Sequence, residues 1–123
     1  MTRILLVDDQ EDNRRIIRDL IGTTGYELVE AVSGEDGVAM AESHGPDLIL
    51  MDIQLPGIDG YEATRRIKAN PALAHIPIIA VTSYALSGDD VKARAAGCDD
   101  YVTKPFSPRA LLAKIREYLA EPA

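Results

Sequence analysis

Five short apolar runs recur along the chain: Ile4 to Val7, Leu28 to Val32, Leu48 to Met51, Ile76 to Val81, and a weaker pair, Tyr101-Val102. Each is of strand length. The strongest are nearly continuous rather than alternating, the pattern of strands covered on both faces. Between them the apolar spacing turns helical. Ile16, Ile17, Leu20 and Ile21 predict one stripe, and Leu111, Leu112, Ile115 and Leu119, at i, i+1, i+4 and i+8, predict another. Both would pack onto a sheet.

Local signals mark the helix ends. Asp59 precedes Glu62 by three residues in the manner of a capping box, and Ser107 before Pro108 puts a hydroxyl at the N-cap and proline at the first helical position. Ser33 before Gly34-Glu35-Asp36 and Ser87 before Gly88-Asp89-Asp90 predict two more caps, with acidic first turns that suit the helix dipole. Asn70-Pro71 and Gly97 should close helices, because proline disfavours helical geometry in the residue before it and glycine accepts a left-handed cap.

The resulting order is a strand followed by a helix, five times over. With connections this short, that order predicts an α/β fold: a doubly wound five-stranded parallel sheet, (βα)5, with right-handed crossovers and helices on both faces. At 123 residues a single domain spanning 1–123 is expected, with no internal repeat, no linker and only Glu121-Pro122-Ala123 as a frayed tail.

Charge and composition narrow the possible roles. Asp and Glu outnumber Lys and Arg twenty to thirteen, for a net charge of −7, which argues against nucleic-acid backbone binding and for protein or cation partners. The single cysteine, Cys98, excludes an internal disulfide and is expected to be a small buried apolar residue. No apolar run approaches the ~20 residues that span a bilayer, and no signal-peptide pattern is present, so a cytoplasmic location is expected.

Ligands of open parallel sheets bind beyond the carboxyl ends of the strands, and those ends are polar here. The first strand ends in Asp8-Asp9, the third runs into Asp52, the fourth ends in Thr82-Ser83, and the fifth is followed by Lys104-Pro105. Taken singly, Asp8-Asp9 is a solvated turn, Thr82 a β-branched strand end and Lys104 a surface charge. Jointly they are harder to dismiss, since unrelated surface groups would not all fall at one end of the sheet. Three converging carboxylates repel one another unless a cation neutralises them. A hard, oxygen-seeking ion such as Mg²⁺ is the natural partner, whereas zinc lacks a cysteine cluster or a histidine pair at ligand spacing. His44 and His75 are expected on the surface or in loops.

With Asp8-Asp9, Asp52, Thr82 and Lys104-Pro105 in that order, the chain resembles the receiver domains of bacterial two-component response regulators over essentially its whole length. The most specific stretches are Ile4-Leu5-Leu6-Val7-Asp8-Asp9, residues 46–60 from Pro46 to Gly60, and residues 97–106 from Gly97 to Phe106. The strand order 2-1-3-4-5, known from the chemotaxis regulator, is carried over from this resemblance rather than read from the pattern. The resemblance implies that Asp52 is the phosphoacceptor, taking a phosphoryl group from a histidine kinase or a histidine phosphotransfer protein. It implies Mg²⁺ held by Asp9, Asp52 and the backbone carbonyl of Gln54, with Asp8 acting mainly through water. Lys104 and Thr82 would engage phosphoryl oxygens. Thr82 and Tyr101 would form the switch, altering the surface of the last two strand-helix units, where a downstream protein would bind. By itself Tyr101 reads as an amphipathic strand residue. The Lys104-Pro105 bond is expected to be cis.

Gln54, two residues after the nucleophile, and Tyr84, two after Thr82, flank the path of water to the phosphorus; this bulky pair is expected to slow self-dephosphorylation. A haloacid-dehalogenase-like phosphatase also uses a strand-end aspartate with Mg²⁺, but it needs a second aspartate where Gln54 stands. A nucleotide or flavin module would need a glycine-rich loop after the first strand, where this chain is acidic. The expectation is therefore a phosphoprotein of phosphorelay signalling rather than an enzyme: a stand-alone response regulator, a phosphorelay shuttle, or a receiver excised from a hybrid kinase. Residues 74–82 with Gly97-Cys98 resemble the single-domain regulators of bacterial cell-cycle control.

Overall fold

The computed structural model describes residues 2–82, 89–103 and 107–119, with the backbone alone at Asp89 and Asp90. Five strands alternate with five helices: β1 (Arg3–Val7), α1 (Glu11–Ile21), β2 (Glu27–Ala31), α2 (Gly34–His44), β3 (Leu48–Asp52), α3 (Gly60–Ala69), β4 (Ile78–Thr82), α4 (Asp89–Ala96), β5 (Asp100–Thr103) and α5 (Pro108–Tyr118). All pairings are parallel, in the order β2-β1-β3-β4-β5. The expected doubly wound sheet and its strand order are both present.

Successive side chains on a strand face opposite ways, so each buried strand feeds two cores. Leu5, Val7, Ile49, Met51, Ile78 and Ala80 pack with Ala41 of α2, Ala63 and Ile67 of α3 and Ala93 of α4. Ile4, Leu6, Leu48, Leu50 and Ile79 pack with Ile17 and Ile21 of α1 and Leu111 and Ile115 of α5. Continuous apolar runs were the sequence signature of this arrangement. Strands β1, β3 and β4 lie inside the sheet and are buried at nearly every position, whereas β2 and β5 at the edges are mostly half-buried.

Caps hold the helices where the sequence put them. The side chains of Ser33, Asp59 and Ser107 accept from the amides of Asp36, Glu62 and Ala110, and Gly97 closes α4 at a φ of 108°. The cap predicted at Ser87 lies outside the described residues. Three assignments shift. Ile16 is 53% exposed and Val32 49%, so Ile16 leaves the buried stripe of α1 and Val32 lies beyond the end of β2. Ile76 is buried, but it precedes β4 in a loop and donates its amide to the Leu73 carbonyl. Among the described residues no helix is long and apolar enough to cross a membrane.

Candidate functional site

Register brings the acidic residues together. Strands β1 and β3 are neighbours with Val7 opposite Met51, so the next residues, Asp8 and Asp52, follow each other across adjacent strands roughly 4.8 Å apart. Asp9 comes one residue later, as the chain turns toward α1. One carboxylate oxygen from each of Asp8, Asp9 and Asp52 lies within 4.8 Å of the other two. Asp8 and Asp52 are 1% and 4% exposed, and Asp9 is exposed.

Backbone amides aim two of these carboxylates. The Gln10 amide donates to Asp8 Oδ1 at 2.9 Å, and the Gln54 amide donates to Asp52 Oδ1 at 3.1 Å. Short acidic side chains commonly accept from an amide two residues on, and the turn after each strand supplies one. The Ile53 amide donates to the Val81 carbonyl, and the Gly60 amide to the Ile53 carbonyl, which ties the chain after Asp52 to both β4 and α3. Gln54 itself is exposed in this loop.

Thr82 ends β4 and is buried. Asp52 pairs with Val81, so Thr82 stands one residue beyond the acidic row. In β5, Tyr101 pairs with Ala80 and Thr103 with Thr82. Thr82 and Tyr101 therefore lie on one face of the sheet, diagonally across neighbouring strands, and Tyr101 is half-buried against the core beneath α2, α3 and α4. Lys104 and Tyr84 lie outside the described residues.

One residue at the site escaped the sequence reading. Arg14 donates from Nη1 to the Asp8 carbonyl oxygen at 2.9 Å and pairs with Glu11 and Glu30. The i, i+3 spacing of Glu11 and Arg14 is visible in the sequence, but it reads as an ordinary surface pair; the contacts to Asp8 and Glu30 arise only when α1 packs beside β1 and β2.

The sequence profile of the response regulator receiver domain matches residues 4–116. The chain belongs to that family. It is 43% identical over 118 residues to the polar-differentiation response regulator DivK of Brucella ovis, with 96% of each chain covered. Among solved receivers, a putative response regulator from Chloroflexus aurantiacus superposes with a TM-score of 0.92 at 31% identity, covering 98% of both chains. The receiver domain of a sensor histidine kinase from Pseudomonas aeruginosa, solved with a magnesium ion coordinated in its active-site cleft, gives 0.90 at 38% identity, again covering 98% of both. In this receiver, the acidic cluster at the ends of β1 and β3 is thus set in the family's fold.

Proposed function

We propose that this receiver accepts a phosphoryl group on Asp52 in a Mg²⁺-dependent reaction, from a histidine kinase or a histidine phosphotransfer protein, and signals by contacts that depend on that modification. The observation that supports this best is the cluster itself: three carboxylates within 4.8 Å, two of them buried, an arrangement whose mutual repulsion a divalent cation relieves. The donor set is all oxygen, as Mg²⁺ requires. Asp9 and Asp52 would ligate the ion directly and Asp8 mainly through a bound water, as the family resemblance implies. The loop carbonyl of Gln54 would complete the protein's share of the ligands.

Mg²⁺ held there would offset charge on the transferring phosphoryl oxygens. The chain's own groups do the rest. The Gln54 amide donates to Asp52 Oδ1 and helps to orient the carboxylate. Attack by an Asp52 carboxylate oxygen forms an O–P bond as the phosphorus–nitrogen bond of the donor phosphohistidine breaks, and the imidazole leaves with that electron pair. Lys104 lies one residue past the end of β5, and its ammonium pairs with a phosphoryl oxygen; the Thr82 hydroxyl donates to another. The protein assists its own modification without turning over a separate substrate.

The acyl phosphate carries about −2 where the carboxylate carried −1, and it adds three acceptor oxygens. Thr82 drawn toward it vacates space on the face it shares with Tyr101, and Tyr101 moves inward to fill it. The balance is a two-state equilibrium biased by the phosphoryl group, read out on the surface of α4, β5 and α5 by a downstream protein. A net charge of −7 suits protein partners, and this role belongs in the cytoplasm.

The linkage tests the assignment. Protein labelled by acetyl phosphate should lose its phosphoryl group to neutral hydroxylamine, as an acyl phosphate does. A label that survives hydroxylamine would place the modification on a hydroxyl group and refute Asp52 as the acceptor.

A further inference from the structure

The peptide between Asp8 and Asp9 is held from outside the acidic cluster. Arg14 Nη1 donates to the Asp8 carbonyl oxygen at 2.9 Å, Nη2 lies 2.6 Å from Glu11 Oε2, and Nε lies 3.2 Å from Glu30 Oε1. Only 12% of the arginine side chain is exposed, so the guanidinium is fixed between the first turns of α1 and the end of β2. The Asp8 amide donates to the Ala31 carbonyl at 3.1 Å. Both backbone groups of Asp8 are therefore anchored, one by a strand and the other by a side chain six residues on.

A peptide unit is planar, so anchoring the Asp8 carbonyl sets the plane from which Asp9 departs. Asp9 is the exposed member of the cluster, and burial does little to aim its carboxylate. We infer that Arg14 is a positioning residue for the divalent-cation site, acting through the peptide between Asp8 and Asp9 without touching the ion or the phosphoryl group. This rests on the metal reading above. The charge of Arg14 would by itself oppose a cation, but Glu11 and Glu30, which also pair with Arg18, bring this group of four side chains to zero net charge, which leaves geometry as its contribution. A lysine could not replace it: a single ammonium does not present the rigid fork that reaches three acceptors in three directions.

Two amides report directly on the site, those of Gln10 and Gln54, which donate to Asp8 and Asp52. Their ¹H–¹⁵N shifts should be followed during titration with Mg²⁺ and, separately, with Ca²⁺. The proteins to compare are wild type, Arg14→Lys, and the double variant Arg14→Met with Glu11→Gln, which removes one charge of each sign. Partners that orient metal ligands typically contribute tenfold or more in affinity, and Mg²⁺ demands near-ideal octahedral geometry while Ca²⁺ tolerates irregular oxygen sets, so Mg²⁺ affinity should fall roughly tenfold and Ca²⁺ affinity by less than about threefold. Arg14→Lys should behave like the double variant, and it decides alone if the double variant does not fold. Equal losses for both ions would mean a charge or stability effect and would overturn the inference, as would unchanged Mg²⁺ affinity. A wild-type protein whose reporter amides ignore Mg²⁺ would overturn the metal reading itself, and this inference with it.

Discussion

A Cβ on Gly60 would strike the backbone carbonyl oxygen of Asp52 and come within 2.7 Å of the Ile53 Cα. The first residue of α3 thus packs directly on the backbone of the candidate phosphoacceptor. The Gly60 amide closes the contact by donating to the Ile53 carbonyl at 3.0 Å. Gly60→Ala should force α3 away from the end of β3. Overpacking of this kind costs about 1–3 kcal/mol, and here the displacement falls on Asp52 itself. The expected result is a lower urea midpoint together with slower labelling by acetyl phosphate; normal labelling in the destabilised variant would show that Asp52 is held by other contacts.

Stability should fall off at both extremes of pH through one cluster at the base of β5. Asp100 accepts from its neighbour Tyr101 at 2.8 Å and from Lys114 Nζ and Tyr118 Oη at 3.1 Å. Burial pushes the Asp100 carboxyl up, but the donation from the Tyr101 amide, Lys114 and Tyr118 outweighs it and holds the group below its usual 3.8. That stabilisation is present above pH 3.8 and is lost as pH falls through the lower folded value. Tyr118 is shifted the other way, from 10.0 to about 12, by burial and by its hydrogen bond to Asp100. Its contribution is complete below pH 10 and is lost as pH rises toward 12. Urea unfolding across pH should therefore show Asp100→Asn flattening the acid limb and Tyr118→Phe flattening the alkaline limb. Limbs unchanged by these substitutions would assign the pH dependence to other groups.

Cys98 should be chemically quiet. It is buried, its Sγ lies 3.7 Å from Thr64 Oγ1, and burial pushes the thiol above its usual 9.0. Thiolate is the reactive form, and the thiol must first be exposed by an opening reaction, so native protein should react with a disulfide reagent at pH 8 on the order of a hundredfold more slowly than protein in guanidinium. Equal rates would mean that the packing between α3 and the end of α4 opens freely.

Much of this molecule is legible before folding because its strongest signals are local. The runs that became β1, β3 and β4 are apolar enough to require cover on both faces, and Ser33, Asp59 and Ser107 cap their helices with groups that lie within three residues. The acidic site was visible because Asp8, Asp9 and Asp52 end neighbouring strands. Ile16 was misplaced because apolar character at i and i+1 cannot say which residue faces the sheet, and α1 rotates so that Ile17 and Ile21 take the buried side. Its start has no side-chain cap at Gln10, which leaves the acidic first turn of Glu11 and Asp12 as the local signal. Arg14 was missed for a deeper reason. Its partners Asp8 and Glu30 belong to other elements, and no spacing in the sequence encodes that contact.

Acceptance of a phosphoryl group by Asp52 with the help of a divalent cation can be read on the intact protein. It is tested most directly by intact mass after incubation with acetyl phosphate, with Mg²⁺ or with a chelator, for wild type and Asp52→Asn. Wild type with Mg²⁺ should gain one phosphoryl group, wild type with chelator little or none, and Asp52→Asn none under either condition. An equal gain in Asp52→Asn, or no gain in folded wild type that binds Mg²⁺, would contradict it.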